Sequence, residues 1–350
     1  MVHVGVDQHK RYSQVAVMDA QGLVLDRRRL EHWDRDGMMD YFAQWGADGS
    51  AVLEAGAHWY WLYDLMEECF EEVTLADPSG VRYMADRKIK TDKVDAELLA
   101  ELDRIGHLPT AHVPTREVRD RRELHRLRIF LVRLSTALKN RVHAVLDKLG
   151  IEHPHSDLFG KGGRELLESL ELRWPYGLQL EACLAVLDSV KAQIERVRTE
   201  LRGILKTDQR AELLQSVPGI GELLCYLVLY EIGDIGRFAT HKKFASYCAL
   251  TPTTHQSGAT LWHGHTGRRG NLYLKWAFTE AAHTAARKDS ALGAFYRRQK
   301  ARKGAGRAAL AVAHKLAVAT YHILKRKEPY RYNHLSKVHL GKPVVILGRP

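Results

Sequence analysis

The chain has 350 residues, of which 45% are hydrophobic and 27% charged, a balance that disfavours wholesale disorder, collagen-like repeats and a membrane-embedded body. Its 53 Lys and Arg residues outnumber its 42 Asp and Glu residues, so the formal net charge is +11 at pH 7. A surplus of this size indicates a polyanionic partner, most often nucleic acid, because cationic side chains displace condensed counterions from phosphates. Charge alone leaves open a soluble enzyme that is merely basic.

The first hundred residues are predicted to alternate between strands and helices. Residues 2–6, 12–18 and 23–30 are short strand-like segments separated by turn residues, which indicates a three-stranded antiparallel meander. Further helices and strands are predicted, in chain order, at residues 35–45, 50–53, 59–70 and 73–76. This order is that of a ribonuclease-H-like α/β sheet, although many other α/β domains also begin with a hairpin.

From about residue 115 the chain changes to long, highly charged helices. Leucines recur there at alternating steps of three and four residues, at Leu124, Leu127, Leu131, Leu134 and Leu138. Residues 187–204 repeat the pattern after a Gly-, Pro- and His-rich break. Such spacing predicts a helical hairpin or an intermolecular coiled coil, and amphipathic helices packed in a bundle fit it equally well. The remainder is predicted to be mainly helical around a Gly-rich loop.

Four acidic residues stand out by their predicted positions at strand ends and at a helix start. Asp7 ends the first strand in VGVDQHK, and Glu54 closes a buried strand in VLEAG. Asp92 and Asp95, in KTDKVDAELLA, are three residues apart and therefore share one helical face. Carboxylates in this arrangement are suited to bind a pair of Mg²⁺ ions for phosphoryl transfer. Each also has a purely structural interpretation, as a turn cap, a solvated charge or a helix N-terminal acid.

A second candidate site is the Pro-Gly-Ile-Gly turn that contains Gly219 and Gly221. A helix is predicted before this turn and an apolar helix after it. This is the pattern of a helix–hairpin–helix, in which glycines let backbone N–H groups approach a phosphate. We expect sequence-independent binding of a nucleic-acid backbone here. The alternative is an ordinary tight connection between two helices.

The third candidate site is the segment at residues 250–275, which is rich in Gly, Thr, His and Arg and is predicted to be a loop. Ser257 precedes a glycine in this segment, and Arg268 and Arg269 follow downstream. A serine nucleophile needs a group that takes its proton and cations that stabilise the charge developing on the phosphate. Alternatively, Ser257 only donates a hydrogen bond in a phosphate-binding loop. A zinc pair at His263 and His265 is disfavoured, because no further ligand has the required spacing.

Cysteine usage and hydropathy indicate a reducing compartment and no membrane span. The four cysteines are too few for a disulfide scaffold and wrongly spaced for a zinc site. The longest apolar run, residues 223–230, is too short to cross a bilayer, and the first residues contain no apolar signal core. We therefore expect a cytoplasmic protein.

The three candidate sites together resemble the transposases of the insertion-sequence-110 type. VGVDQHK, VLEAGAHWY and KTDKVDAELLA are similar to the four-acid (DEDD) motif of that family. SVPGIGELLCYLVLYEIGDIGRF, THQSG and GRRGNLYLK are similar to its C-terminal transposase domain. The similarity extends over nearly the whole chain in the same order, and the combination of the KTDKVDA and PGIG segments is its most specific part.

The resemblance implies a RuvC-like, ribonuclease-H-like domain in residues 1–114 and a transposase domain in residues 208–328. The residue pattern predicts a helical coiled-coil arm between them, in residues 115–207, and a basic tail in residues 329–350. The Mg²⁺-bound set that it implies is Asp7, Glu54, Asp92 and Asp95. It also implies that Ser257 forms a covalent phosphoserine with cleaved DNA, the two sites meeting between subunits of a dimer or tetramer. A structured noncoding guide RNA would pair with target and donor DNA and so choose the sequence.

Three positions depart from the family pattern. Lys275 stands where arginine is more usual, which keeps the charge but loses bidentate phosphate geometry. Gln8 and His9 follow Asp7 where smaller residues often occur. Because all four acids and the serine are present, the sequence predicts an active DNA transposase, in which Lys275 and the two arginines of the GRRG segment contact phosphates.

Two other functions remain compatible with the sequence. A Mg²⁺-dependent nuclease resembling a Holliday-junction resolvase would use the same acids with water as the nucleophile, and Ser257 would be incidental. A non-catalytic scaffold would dimerise through the arm and bind nucleic-acid backbones without any metal-dependent chemistry. Replacing Ser257 by alanine separates the transposase from the nuclease, and replacing Asp92 by asparagine tests the scaffold.

Overall fold

The computed structural model describes residues 1–84, 92–257, 260–267, 270–287 and 290–331. The chain divides into two compact units, Met1–Pro114 and Thr115–Pro350. All four cysteines are free thiols. Within the described ranges, no helix combines the length and the apolar character needed to span a membrane.

The N-terminal unit contains one five-stranded mixed sheet. Its strands are β1 (Val2–Gln8), β2 (Tyr12–Asp19), β3 (Val24–Glu31), β4 (Gly49–Glu54) and β5 (Glu72–Ala76). Its helices are α1 (Arg35–Gly46), α2 (Trp59–Glu67), α3 (Pro78–Met84) and α4 (Asp92–Arg104). The strand order is β3-β2-β1-β4-β5, in which β1, β2 and β3 are antiparallel neighbours and β1, β4 and β5 parallel ones. The predicted meander, followed by alternating helices and strands, is therefore confirmed.

Apolar residues on both sides of the strands give this sheet two covered faces. On one face, Val6 and Leu53 pack with side chains of α1 and α2 in the main core of the unit. On the other face, Val52 packs with apolar side chains of α4. Gly5 lets α4 lie directly on β1, since a Cβ at this position would be 2.0 Å from the backbone oxygen of Ala96. The sequence of β1 thus fixes where α4 crosses the sheet.

The C-terminal unit is mainly helical and contains one β-hairpin. Its helices are α5 (Arg116–Lys148), α6 (Lys161–Ser169), α7 (Tyr176–Thr207), α8 (Arg210–Gln215), α9 (Glu222–Ile232), α10 (His241–Tyr247), α11 (Leu272–Arg287), α12 (Ala291–Lys303) and α13 (Ala305–Arg326). The strands β6 (Pro252–Ser257) and β7 (Thr260–Thr266) pair in antiparallel fashion. The core centres on α9, which is buried at every position from Cys225 to Ile232 and packs with α11 and α13.

The long helices α5 and α7 pack against each other within one chain. At one end of the pair, Val142 and Leu146 of α5 share an apolar cluster with Leu180 and Leu184 of α7. The pair is a helical hairpin, which is one of the arrangements that the leucine spacing predicted. Helix α6 lies in the connection, mostly between the predicted break at residues 150–163 and a second one near residues 174–175.

The buried face of α5 differs from the predicted leucine face. Leu127 is 46% exposed and the other four leucines of the pattern are only partly buried, whereas Arg122 and His125 are buried. The reason is that α5 also packs on α9, where the Arg122 guanidinium donates hydrogen bonds to the backbone oxygens of Tyr230 and Glu231 at 2.7 and 2.9 Å.

The predicted loop at residues 250–275 contains the β6–β7 hairpin. The loop prediction was wrong because Thr and Trp side chains favour extended backbone even where Gly and His are frequent. A two-stranded ribbon also needs no continuous buried face, so hydropathy alone does not reveal it.

Candidate active site

Asp7 and Glu54 lie side by side at the carboxyl edge of the sheet. Strands β1 and β4 are parallel neighbours and Val6 is the register partner of Leu53, so Asp7 and Glu54 occupy equivalent positions one step further along. Because Val6 and Leu53 belong to the core on one face, alternation places the two acids on the opposite face. The carboxyl ends of adjacent parallel strands are a common location for ligand sites in α/β sheets.

Helix α4 covers that same face and directs its amino end toward the two acids. Gly5 contacts the middle of the helix, and near the other end Asp103 accepts a hydrogen bond from Ser50 Oγ at 2.5 Å. The helix therefore runs antiparallel to β1, so its first turn, with Asp92 and Asp95, lies toward the carboxyl edge of the sheet. The backbone of Asp92 is described, whereas its side chain lies outside the described part of the structure.

The donor atoms at this edge fit a hard divalent cation. Asp7, Glu54 and Asp95 are partly buried and supply carboxylate oxygens, which are the ligands that such cations prefer. Among the described side chains, a set that omits Asp92, no group of three or more His, Cys, Asp and Glu residues is close enough together to hold a metal ion. The described arrangement is thus two strand-end carboxylates with the first turn of a helix on the same face.

His9 contacts Asp7 directly. Its Nε2 atom lies 3.1 Å from Asp7 Oδ2, and the Asp7 side chain is only 16% exposed. The turn after β1 holds the imidazole in place, because the His9 N–H donates to the backbone oxygen of Tyr12 at 2.9 Å and the two rings lie 4.7 Å apart. The histidine that departs from the family pattern is therefore in direct contact with a predicted metal ligand.

A recess of about 430 Å³ opens next to the two strand ends. It is lined by Lys10, Ala57, His58, Tyr60 and Trp61. Gln8 Nε2 donates to the backbone oxygen of His58 at 3.1 Å, which ties the loop after β4 to the end of β1. A cation and aromatic rings are the groups with which proteins bind a phosphate and an adjacent base. The aromatic run WYWLY, which follows Glu54, could have indicated this recess from the sequence. It was interpreted only as part of a helix.

The structure places Ser257 at the end of a strand. It is the last residue of β6 and pairs with Thr260 of β7. The side chain of Ser257 and residues 258–259 lie outside the described part of the chain. Arg268 and Arg269 also lie outside the described residues. Ser257 belongs to the C-terminal unit and the strand-end acids belong to the N-terminal unit.

Lys275 fastens the hairpin to the helix that follows it. From the first turn of α11, its Nζ atom donates to Thr266 Oγ1 at 3.0 Å and to the backbone oxygen of Gly267 at 3.4 Å. The lysine was predicted to contact phosphates, and the structure gives it partners on the last residue of β7 and on the residue after it. Its charge lies beside the base of the β6–β7 hairpin.

Behind the hairpin lies a buried charged cluster that the sequence did not reveal. Glu231 is 1% exposed, accepts from Asn271 Nδ2 at 2.7 Å and from Arg126 at 3.3 Å, and lies 3.7 Å from Arg122. Asn271 in turn caps α11, since its Oδ1 accepts from the Leu274 N–H at 3.0 Å. The cluster thus fixes the start of α11 on α9 and α5. Because Glu231 stands in an apolar run, its pattern predicts only a core helix.

The two glycines of the Pro-Gly-Ile-Gly turn have different surroundings. Gly219 has φ +88°, and a Cβ there would be 2.2 Å from the backbone oxygen of Ala281 on α11, so this glycine serves close packing. Gly221 precedes α9, has no side-chain cap and has open space where a Cβ would be. It lines a pocket of about 560 Å³ together with Ser216 and Tyr330. The first turn of α9 thus begins beside open space and without a side-chain cap.

Two family models match the chain, and together they cover about two thirds of it. The model of the DEDD transposases of IS110 elements, described as a transposase, matches residues 4–151. The model described as the transposase IS116/IS110/IS902 family matches residues 211–297. The first segment contains all four predicted acids, and the second contains Ser257.

Individual proteins are similar over nearly the whole chain or over part of it. The probable family 20 transposase of Pseudomonas aeruginosa is 28% identical, over 94% of this chain and 98% of that protein. The transposase for insertion sequence element IS1111A of Coxiella burnetii is 27% identical, over 94% and 91% respectively. The pilin gene-inverting protein of Moraxella bovis is 30% identical over 35% of this chain and 39% of its own length.

The strand-end acids, the helical unit and these similarities define the class of protein, a DNA transposase. Its matched segments and full-length relatives are similar to insertion-sequence transposases of the IS116/IS110/IS902 type.

Proposed function

We propose that the protein cuts and rejoins DNA strands in a Mg²⁺-dependent reaction, with Ser257 forming a covalent phosphoserine with the cleaved strand. The observation that supports the metal-dependent part is the arrangement of β1, β4 and α4, which brings Asp7, Glu54 and the first turn of α4 to one sheet edge. The strand order, with α4 across one face, is also what we expect of a RuvC-like, ribonuclease-H-like domain.

In this proposal Asp7, Glu54, Asp92 and Asp95 hold the metal. When bound, a pair of Mg²⁺ ions would stabilise the attacking and leaving oxygens of a phosphoryl transfer. The other groups of the chain set the geometry of these carboxylates. The absence of a side chain at residue 5 fixes the height of α4 above the sheet, and the His9 imidazole holds the Asp7 carboxylate from one side. Partial burial keeps the acids away from bulk water and strengthens their field.

Ser257 would supply the nucleophile from the C-terminal unit. Its oxygen would attack phosphorus and release its proton, and the leaving oxygen of the cut strand would gain one. The position at the end of β6 supports this role, because Lys275 and the capped start of α11 hold the base of the hairpin in place. A rigid frame reduces the entropy that must be lost when the reacting atoms meet.

The predicted phosphate contacts divide into two roles. The open N-terminus of α9 at Gly221, together with Arg268 and Arg269, would bind the DNA backbone. Gly219 supports that site only indirectly, because its contact with α11 sets the position of the turn. Lys275 would add positive charge next to the hairpin while holding it.

We further propose a homo-oligomer, as a dimer or tetramer, and a structured noncoding RNA as a guide. On the helical pair, Leu127, Phe130 and Leu178 are 46%, 61% and 62% exposed, and exposed apolar groups on one arm favour association with a second copy. The net charge of +11 supports a nucleic-acid partner in addition to DNA, and the resemblance to the family indicates that this partner is RNA. A cytoplasmic location accords with four free thiols.

The metal-dependent part is tested by replacing Glu54 with glutamine. We expect cleavage of DNA that carries the element ends, with Mg²⁺ and the flanking RNA present, to fall about 100-fold, because a metal ligand loses its charge. The matched control is Glu72→Gln, at the opposite end of the same sheet, where the side chain is exposed. If cleavage is unaffected by Glu54→Gln, or is equally reduced by both changes, the proposal that these carboxylates hold the metal is contradicted.

A further inference from the structure

Residues 290–327, which include α12 and α13, carry ten Lys and Arg residues and no Asp or Glu. This segment therefore holds a surplus almost as large as the net charge of +11 of the whole chain. A merely solvated helix usually mixes both signs, as α7 does. There, Glu195 lies 3.4 Å from Arg198 and 3.7 Å from Arg202. The one-sided charge of α12 and α13 calls for a different explanation.

Helix α13 presents its cations along one face. Its buried residues, among them Val312, Leu316 and Leu324, lie on the opposite face and pack in the core of the unit. The basic and imidazole side chains that are not buried recur at helical spacing. We call them the basic stripe, which consists of Arg307, His314, Lys315, His322, Lys325 and Arg326.

Neighbouring helices place a further cation and a further imidazole beside the stripe. On α12, the Arg298 guanidinium lies 5.8 Å from the ring centre of Phe295, and the Lys315 ammonium of α13 lies 4.7 Å from the same ring. From α10, the His241 ring lies 5.4 Å from that of His322. Burial, and second the charge of Arg298, lower the pKa of Lys315. Holding cations this close costs electrostatic free energy, which a bound polyanion would offset.

We propose that the basic stripe binds the sugar–phosphate backbone of duplex DNA. From Arg307 to Arg326 the helix rises about 29 Å, which is close to the ~34 Å of one turn of B-DNA. Cations on one helix face can follow a row of phosphates without contacting bases, so the stripe holds DNA without selecting its sequence. The charge of the stripe indicates a polyanion by itself. That this polyanion is DNA rests on the proposed function.

The test measures binding of the full chain to a fluorescent DNA duplex of arbitrary sequence, with a chelator present, at a series of salt concentrations. The variant combines Arg307→Gln, Lys325→Gln and Arg326→Gln, three exposed positions whose loss leaves the core intact. We expect the slope of log affinity against log salt to become shallower by about 2–3, because each lost phosphate contact removes about 0.9. A separate Lys315→Met variant, which keeps contact with the Phe295 ring, should reduce the slope by about 1.

The matched control removes three exposed charges from α7, by Lys191→Gln, Arg196→Gln and Lys206→Gln. This control lowers the net charge by three, as the triple stripe variant does. An unchanged salt slope for the control would show that the location of the cations, and not the net charge, determines binding. The proposal is overturned if the stripe variants keep the wild-type slope for DNA, or if the α7 variant loses as much. An RNA duplex of the same sequence is measured in parallel, and loss of RNA binding with DNA binding intact would also overturn it.

The binding test is independent of the reaction. Because the chelator removes divalent metal ions, the assay measures DNA binding and no cleavage. If the stripe variants bind DNA normally while the wild-type protein cleaves DNA, the proposed role of the basic stripe is wrong and the proposed function stands. If the stripe variants lose DNA binding while the wild-type protein forms no cleaved product, the proposed role of the basic stripe stands and the proposed function is wrong.

Discussion

His125 is the most informative single residue for the stability of the helical unit. Only 2% of its surface is exposed, its ring stacks on Tyr226 with 5.6 Å between the centroids, and neither ring nitrogen has a hydrogen-bond partner within the described part of the chain. Burial first, and the charge of Arg128 second, lower the pKa of His125 to about 4. The His125 imidazole therefore takes up a proton at a lower pH in the folded unit than in the unfolded chain.

This difference predicts a specific dependence of stability on pH. The free energy of unfolding is fully retained above about pH 6.5, the usual pKa of histidine. It falls as the pH decreases toward about 4, and the total loss from this residue is up to about 3 kcal/mol. The His125→Phe variant keeps a ring against Tyr226 and removes the titration, so its stability should change less across this range. Denaturant unfolding at a series of pH values measures the effect.

The control for this prediction is His143→Phe, an exposed histidine on the same helix, which should keep the wild-type pH dependence. If the wild type and His125→Phe lose stability in parallel between about pH 6.5 and 4, the buried imidazole is not the cause.

Individual functional residues were predictable where chain position alone fixes their place. Asp7 and Glu54 end apolar strands, so their common sheet edge follows from the predicted strand order. Glu231 and His125 were not predictable, because one lies in an apolar run and the other among charged residues, and only the crossing of α5 over α9 buries them. Their partners are more than a hundred residues away in some cases, as in the contact of Glu231 with Arg126.

At the scale of elements, the Pro-Gly-Ile-Gly turn joins α8 to α9 and packs closely on α11. Gly219 lies against the backbone of Ala281, whereas Gly221 faces open space. The two glycines were predicted to have one role, as backbone that approaches a phosphate. The turn is therefore held by close packing at Gly219 and faces open space at Gly221.

We expect Gly219→Ala to lower the free energy of unfolding by about 2–4 kcal/mol, because its φ is +88° and the added methyl group meets backbone of α11. Gly221→Ala should lower it by about 1 kcal/mol or less, since φ is −85° and nothing obstructs the methyl group. Denaturant unfolding of the two variants checks this. Similar losses for both changes would contradict the division of roles.

Elements with a strong periodic signal were predicted well, and those without one were not. The meander, the strands that follow it and the long helices α5 and α7 all have regular apolar spacing and are confirmed. The β6–β7 hairpin lacks such spacing in the sequence and was missed. The leucine pattern of α5 located the helix correctly but not its buried side.

At the scale of the whole molecule, the chain carries its predicted chemistry in two separate units. The acids lie in Met1–Pro114, while Ser257 lies in Thr115–Pro350 together with the basic stripe. A hydrolytic nuclease needs only the first unit for its chemistry, and a scaffold needs neither set of reactive groups. The central claim is therefore that a serine of the second unit reacts with DNA in a process that the acids of the first unit support.

That claim is tested most directly by a covalent adduct. The purified protein is incubated with Mg²⁺, the RNA from the flank of the element and labelled DNA that carries the element junction, and the products are separated on a denaturing protein gel. We predict a labelled protein band for the wild type and none for Ser257→Ala. Cleaved DNA without any protein adduct, in equal amounts from both proteins, would contradict the claim and indicate a nuclease that uses water.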